Sequence, residues 1–174
     1  MNVPFTQHAP TRITMPDTPA PSARAQVTAM FPQWRWYAIK DGDPRGRDLM
    51  RRHYSAIHYK DNRNPRLFVG PGEKMVLLAA DCKALFIWRK FIDGSGQLGV
   101  NCACFRNEGE ELSSSLILEA EQLAWQRWPG ERLYTYVSPR KILSCNPGYC
   151  FKMAGWKQCG TTKGGLVILE KLSV

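Results

Sequence analysis

Three strand-like runs follow one another in the middle of the chain, separated only by tight turns. Residues 74–80 and 84–92 are rich in aromatic and aliphatic side chains, and Asp81-Cys82-Lys83 lies between them. Asp93-Gly94-Ser95-Gly96 then separates the second run from a third, residues 98–105. Because such short turns join antiparallel strands, this segment predicts an antiparallel sheet on which the remaining elements must pack.

Further strand and helix patterns lie on both sides of this segment. Residues 34–39, 133–137, 156–161 and 166–170 predict strands, and residues 48–59, 113–128 and part of 146–155 predict helices. The expected order of elements is therefore β-α-β-β-β-α-β-α-β-β. Hairpins combined with two crossover helices predict an α/β fold of the α+β kind, with a mixed, mostly antiparallel central sheet of about seven strands flanked by helices.

Start and stop signals are clearest in the last helix pattern. Asn146 is expected at the N-cap and Pro147 at the first helical position. Gly155 would supply the left-handed stop, and Trp156 would then fold back on Phe151. These features are structural and would serve a catalytic and a non-catalytic protein equally well.

Prolines divide the chain into an arm and a body. Five of the 12 prolines lie within the first 30 residues, among threonine, alanine and serine. Such a composition cannot pack a core, so residues 1–30 are predicted to form a flexible arm and residues 31–174 a single domain. The N-terminus has no basic-then-apolar signal pattern, and no run of about 18 apolar residues occurs, so we expect a cytoplasmic protein without a membrane span.

The charge balance is basic and the cysteines are scattered. The 24 lysines and arginines exceed the 15 acidic residues, which gives a net charge of +9. This balance favours an anionic partner, either nucleic acid or a phosphate-rich cofactor, with solubility alone as the alternative. The six cysteines form no C-x-x-C pair and no zinc-finger spacing with histidine, so we expect free thiols and no metal site.

The order of elements and one motif resemble the GNAT superfamily of acyl-CoA N-acyltransferases. The motif is Asn146-x4-Phe151-x3-Gly155-Trp156, and the resemblance covers the chain from about Gln33 onward. It implies acetyl-CoA or another acyl-CoA as cofactor, with the pyrophosphate at the start of the second helix and the pantetheine arm where the fifth strand splays from the fourth. The cofactor-binding residues that it implies are Arg106, Ser113, Ser114, Ser115, Asn146 and Phe151.

Two features depart from the pattern of that superfamily. Phe151 occupies the position where a tyrosine is usual, and the glycine-rich loop before the second helix is replaced by one that contains Glu108, Glu110 and Glu111. Glutamates at a helix start satisfy the same dipole as a phosphate and would repel an anionic cofactor. Residues 113–115 are then plain serine caps, which is the alternative to a phosphate site.

A narrower similarity is to phage proteins of the Mom type, GNAT-like enzymes that modify bases in phage DNA. It rests on His53-Tyr54-Ser55 and on the run GYCFKMAGW at residues 148–156. The similarity implies DNA or a nucleotide as the substrate and, for a phage-encoded protein, the host-cell cytoplasm as the location.

Three residues are candidates for acid–base chemistry: His53, Ser55 and Tyr149. Acyl transfer to an amine needs removal of a proton from the amine, for which histidine is suited at neutral pH. It also needs protonation of the departing thiolate, for which a tyrosine of pKa about 10 is suited. As alternatives, His53 is a core residue that shares the face of helix 48–59 with Leu49 and Ile57, Tyr149 hydrogen-bonds across a helix start, and Ser55 is polar surface.

Basic and aromatic side chains around the first helix and near the last one predict contact with nucleic acid. These residues are Trp34, Trp36, Arg51, Arg52, Tyr54, Arg140, Lys141 and Lys152. A solvated helix face with local ion pairs to aspartates is the alternative.

The function expected is transfer of an acyl group from acyl-CoA to an amine, with a nucleobase in phage DNA as the favoured acceptor. A conventional acetyltransferase for protein or small-molecule amines and a GNAT-derived nucleic-acid-binding module without catalysis both remain open.

Overall fold

Seven strands form one sheet in a computed structural model that describes residues 34–57, 65–92, 94, 96–142 and 144–173. The strands are β1 (Trp36–Ile39), β2 (Glu73–Ala79), β3 (Ala84–Lys90), β4 (Val100–Asn107), β5 (Leu133–Val137), β6 (Lys157–Thr161) and β7 (Val167–Lys171). Their order across the sheet is β1-β2-β3-β4-β5-β7-β6. The predicted arm, residues 1–30, lies outside the described residues.

Three described helices accompany the sheet: α1 (Pro44–Arg51), α2 (Ser113–Arg127) and α3 (Tyr149–Met153). Every pair of neighbouring strands is antiparallel except β4 and β5, which are parallel. The prediction of a mixed, mostly antiparallel seven-stranded sheet with flanking helices is therefore confirmed.

The sheet buries side chains on both of its faces. Along β3, Phe86 and Trp88 belong to a core that includes residues of α2 and α3, whereas Leu85 and Ile87 pack on the opposite face with Leu49 of α1. All four β3 side chains are at most 1% exposed. Each contributes about 1.5–3 kcal/mol by leaving water, which explains why this run reads as continuously apolar rather than alternating.

The first helix lies earlier in the sequence than predicted. It begins at Pro44 because the Asp43 carboxylate accepts the backbone N–H of Arg45 at 2.9 Å and proline fits the first helical position. It ends at Arg51, after which the N–H of His53 reaches back only three residues, to the carbonyl of Met50 at 3.0 Å. The prediction that residues 48–59 are helical, with His53 and Ile57 on one buried face, is wrong for residues 52–57, and residues 58–59 lie outside the described residues.

The predicted capping of the two other helices also needs correction. Leu112 is the N-cap of α2 and makes no side-chain cap bond, whereas the hydroxyl of Ser113 accepts from the Asn107 amide at 3.1 Å, so the serines are not caps. The N-cap of α3 is Gly148, with φ of 76°, rather than Asn146.

The end of α3 follows the prediction. Gly155 adopts a left-handed φ of 87°, a conformation that glycine takes without a steric penalty. The Trp156 ring lies 4.9 Å from that of Phe151, centroid to centroid, and the N–H of Trp156 donates to the Phe151 carbonyl at 3.0 Å. The left-handed stop and its hydrophobic contact are both confirmed.

Candidate functional site

The sheet opens between β4 and β5. Their parallel pairing consists of three register pairs, the last of which joins Cys102 to Thr135, and the Thr135 hydroxyl donates to the Cys102 carbonyl at 3.0 Å. The next residue of β4, Ala103, has no partner on β3, because Cys102 pairs with Trp88 and Cys104 with Ile87. Such a β-bulge bends its strand, which turns the rest of β4 away from β5.

A cavity of about 650 Å³ occupies this opening, and we name it the β4–β5 cleft. Its walls are the diverging strands, the turn after α1, and the loop that leads into α3. The predicted residues that line it are His53, Tyr54, Ser55, Lys141, Asn146, Tyr149 and Phe151. All three candidate acid–base residues therefore face one cavity, although they come from two distant parts of the sequence.

His53 is held by Ser55 on one wall of the cleft. The Ser55 hydroxyl lies 2.7 Å from Nδ1 of His53, and the backbone N–H of Ser55 donates to the same nitrogen at 3.3 Å. Burial, with a smaller effect from the nearby Arg106 guanidinium, lowers the pKa of His53 to about 4. The imidazole is therefore neutral at pH 7 and can accept a proton.

Tyr149 and Cys150 stand at the start of α3. Tyr149 is 55% exposed, so its phenol is accessible to a ligand in the cleft. Burial raises the pKa of the Cys150 thiol, which keeps it protonated and disfavours a role as nucleophile. The Asn146 side chain accepts from Lys152 Nζ at 2.6 Å, which ties the loop before α3 to the helix that carries both residues.

A three-residue charge cluster lies beside the end of β4. The Arg52 guanidinium binds the Glu108 carboxylate through two bonds of 2.8 Å, and Arg106 binds the same carboxylate and the Arg52 carbonyl. These bonds hold the pKa of Glu108 down to about 2. Two cations against one anion leave this cluster, Arg52–Glu108–Arg106, with one net positive charge.

Residues 113–115, predicted to bind the cofactor phosphate, lie in the first turn of α2 and do not line the β4–β5 cleft. In the loop before them, Glu111 pairs with Arg35. Two of the three glutamates predicted to repel an anion are thus neutralised by arginine partners.

The residues predicted to contact nucleic acid are dispersed. Trp36 is 3% exposed and its indole N–H donates to the Leu116 carbonyl at 2.9 Å, so it is a core residue and its predicted stacking on a base is wrong. Trp34 packs partly buried against the same core. Lys141 lies at the cleft and donates to the Tyr54 carbonyl at 3.2 Å, whereas Arg140 is exposed.

A second cavity, of about 700 Å³, lies on the sheet face that carries α1, and we name it the α1-face cavity. Arg47, Arg51, Arg89 and Asn101 are among its lining residues. Of these four residues, only Arg51 is a site residue predicted from the sequence. The sequence holds a signal for Asn101, which is the one polar residue in the stretch 100–105 of β4, and Arg89 similarly follows five buried residues of β3.

Neither a metal cluster nor a membrane-spanning helix occurs within the described ranges. No group of three or more His, Cys, Asp or Glu side chains there could hold a metal ion. None of the helices in the same ranges is long and apolar enough to cross a bilayer.

No protein-family model, no curated protein and no solved structure matches this chain.

Proposed function

We propose that this protein is a phage-type, GNAT-like N-acyltransferase that moves an acyl group from acetyl-CoA or another acyl-CoA to an amine, with a nucleobase in phage DNA as the favoured acceptor. The observation that carries the proposal is the separation of β4 from β5 beside His53, Ser55 and Tyr149. The cavity between the two strands is thereby lined by a neutral imidazole and an accessible phenol.

The cleft suits an extended, amide-containing cofactor arm. In the described chain no strand pairs with β4 on its β5 side beyond Cys102, so the backbone of residues 103–105 offers hydrogen-bonding groups along the cavity. A chain with its own amides can bind such an edge as an added strand does. When bound there, acyl-CoA supplies an activated acyl group as a thioester.

The phosphate end of the cofactor is favoured by the Arg52–Glu108–Arg106 cluster. Its net positive charge lies at the end of β4, and the glutamate that would otherwise repel phosphate is held between two guanidiniums. The first turn of α2 follows shortly after in the chain, and the positive end of the helix dipole there favours an anion.

Ser55 and His53 move the proton of the attacking amine. Ser55 Oγ is exposed and takes a proton from the amine nitrogen as its own proton passes to Nδ1 of His53, 2.7 Å away. Tyr149, which lines the same cleft, gives its phenolic proton from Oη to the departing group. The Lys141 and Lys152 side chains carry positive charge beside the cleft, which favours a polyanionic acceptor such as DNA.

Mass spectrometry of nucleosides digested from DNA tests the acceptor. DNA from cells that express the wild-type protein should contain an acylated nucleoside that is absent with Tyr149→Phe. A thermal-shift titration with acetyl-CoA tests the cofactor separately, because a ligand of the native state raises the unfolding midpoint.

The two readouts separate the alternatives. Stabilisation by acetyl-CoA with unmodified DNA would indicate a conventional acetyltransferase for protein or small-molecule amines. DNA binding without any stabilisation by acetyl-CoA would overturn the proposal in favour of a binding module without catalysis.

A further inference from the structure

Three polar atoms on the α1 face are buried without a hydrogen-bond partner among the described residues. They are Nε of Arg47, Nε of Arg89 and Oδ1 of Asn101, and all three residues line the α1-face cavity. Asn101 is 6% exposed. Leaving such groups unpaired costs free energy that a fold does not ordinarily tolerate, unless a ligand supplies the missing partners.

Arg89 and Asn101 lie side by side on two paired strands. They are register partners on β3 and β4, so their side chains stand next to each other on one face of the sheet. Gly70 leaves the space that the arginine needs, because a Cβ at this glycine would lie 2.2 Å from Arg89 Nη1. Arg47 reaches the same cavity from α1.

The cavity is basic and has apolar walls. Its lining residues in the described chain include three arginines and neither an aspartate nor a glutamate. Only Arg51 of the three has an acidic partner in that part of the chain, Asp48 at 3.5 Å. Apolar wall is supplied by Phe68 and Ile87.

We infer that the α1-face cavity binds one nucleotide, with its phosphate against Arg47 and Arg89. Guanidinium N–H groups match phosphate oxygens in geometry and charge. The free oxygen of Asn101 accepts a hydrogen bond from an amino or hydroxyl group of the nucleoside, and the Phe68 wall contacts the base. A volume of about 700 Å³ lies within the range of small-molecule sites, about 300–1,000 Å³.

The nucleotide site adds an acceptor site to the proposed function. The inference rests on that function only for the identity of the acceptor. Ser55, Asn101 and Cys104 line both the α1-face cavity and the β4–β5 cleft, so the two spaces adjoin. A nucleotide held by its phosphate on the α1 face therefore presents its base towards Ser55 and His53. Nucleotide binding itself requires neither acyl-CoA nor catalysis.

Calorimetric titration without acyl-CoA tests the site. The probes are the four deoxynucleoside 5′-monophosphates, the matching deoxynucleosides, and a short single-stranded oligodeoxynucleotide. We expect at least one monophosphate to bind about tenfold or more tightly than its nucleoside, because the nucleoside has no phosphate and so cannot form the charge-assisted hydrogen bonds with the arginines. Tighter binding of the oligonucleotide than of any monophosphate assigns the site to DNA, and the reverse assigns it to free nucleotides; equal binding of nucleotides and nucleosides overturns the inference.

Variants of the chain distinguish binding from a structural role. Arg47→Gln and Arg89→Gln should each weaken monophosphate binding about tenfold. Gly70→Ala should weaken it without any change of charge, by displacing the Arg89 guanidinium. Arg127→Gln, on α2 and paired with Glu73, is the charge-matched control and should bind as the wild type does.

Stability supplies the second readout. Arg47 has no side-chain hydrogen bond to lose within the described residues, so Arg47→Gln should unfold at the wild-type midpoint or above it. Arg89 likewise loses no hydrogen bond there, but its guanidinium lies over the Phe91 ring, 5.4 Å from the centroid, so Arg89→Gln should lower the midpoint only slightly. A lowered midpoint with unchanged nucleotide affinity would make them structural residues and overturn the inference. If the protein binds a nucleotide but acetyl-CoA does not stabilise it, the nucleotide site is retained and the proposed acyl transfer is rejected. If acetyl-CoA stabilises the protein but no nucleotide binds, the acyl transfer is retained and the nucleotide site is rejected.

Discussion

Ser55 binds one nitrogen of His53 through two of its own groups. Its backbone N–H donates to Nδ1 at 3.3 Å, and its hydroxyl lies 2.7 Å from the same atom. Because a nitrogen that accepts the backbone N–H cannot carry a proton itself, the neutral imidazole is protonated at Nε2. The hydroxyl of Ser55 then donates to Nδ1, which orients its oxygen lone pairs away from the ring.

The low pKa of His53 predicts a loss of stability in mild acid. Its pKa is about 4 in the folded protein against 6.5 for the free side chain, so the unfolded chain binds the proton more tightly. The corresponding stability is complete above about pH 6.5 and is lost as the pH falls towards 4, by at most about 3 kcal/mol. Urea unfolding of the wild type and His53→Gln at pH 7 and 4.5 should show a smaller loss in the variant.

Other groups also titrate in this window, so the difference between the two proteins is the informative quantity. Ser55→Ala keeps the histidine and serves as the matched control, with an acid sensitivity close to that of the wild type. Equal losses in the wild type and His53→Gln would contradict a depressed histidine pKa.

The exposed phenol of Tyr149 should matter for transfer and little for folding. Tyr149→Phe removes a hydroxyl from a side chain that is 55% exposed, so the unfolding free energy should change by less than about 0.5 kcal/mol. Acyl transfer should fall about 10²–10⁴-fold, as expected when a general acid is removed. Rates of transfer at saturating acyl-CoA measure this.

Tyr37→Phe is the control because it also removes one phenol hydroxyl, at a site on β1 where that hydroxyl contacts Cys82 at 3.4 Å. It should leave the transfer rate unchanged. Equal rates for Tyr149→Phe and the wild type would exclude Tyr149 as the proton donor.

Local patterns were enough to find every described strand. The bounds of β5, Leu133–Val137, agree with the prediction because its alternating residues and flanking turn signals are contiguous in sequence. The end of α3 was equally predictable, since Gly155 and Trp156 act within one helical turn of Phe151.

Features that depend on distant partners were not predictable. The separation of β4 from β5 follows from a bulge at Ala103, whose presence is decided by the register with β3 and not by its own residue type. The sequence predicts that Trp36 stacks on a base, whereas its indole N–H donates to the carbonyl of Leu116, which lies 80 residues away in the chain. That Nε of Arg89 has no hydrogen-bond partner within the described residues likewise depends on what lies across the cavity, which the local sequence does not encode.

A buried ion pair should contribute strongly to stability. Glu121 is fully buried, accepts from the Trp156 indole, and binds Lys171 Nζ at 2.6 Å. Lys171→Met leaves this buried carboxylate without its cationic partner, so we expect a loss of about 3–5 kcal/mol in the unfolding free energy measured in urea. The double variant Glu121→Gln with Lys171→Met should recover part of the loss, because no charge remains buried.

The exposed pair of Arg127 and Glu73 provides the comparison. Glu73→Gln breaks a salt bridge whose side chains are 45% and 50% exposed, and should leave the unfolding free energy nearly unchanged. A loss for Lys171→Met no larger than this would mean that Glu121 takes up a proton at little cost when the lysine is absent.

Removing the shared carboxylate of the Arg52–Glu108–Arg106 cluster should strengthen acyl-CoA binding. Glu108→Gln frees two guanidiniums at the end of β4, and the affinity for acetyl-CoA should rise several-fold at low ionic strength. The gain should shrink in about 0.5 M salt, where charges are screened within a few ångströms. Titration of both proteins at two salt concentrations measures it.

Glu131→Gln is the control for the change in net charge. It also removes one carboxylate, but at the far end of the sheet, where Glu131 pairs with Lys90. Because this charge lies at the opposite end of β3 from the cluster, its removal should leave the affinity for acetyl-CoA nearly unchanged. An equal gain in both variants would indicate a general attraction by the basic protein. No gain in Glu108→Gln would mean that the cofactor phosphates do not approach this end of β4.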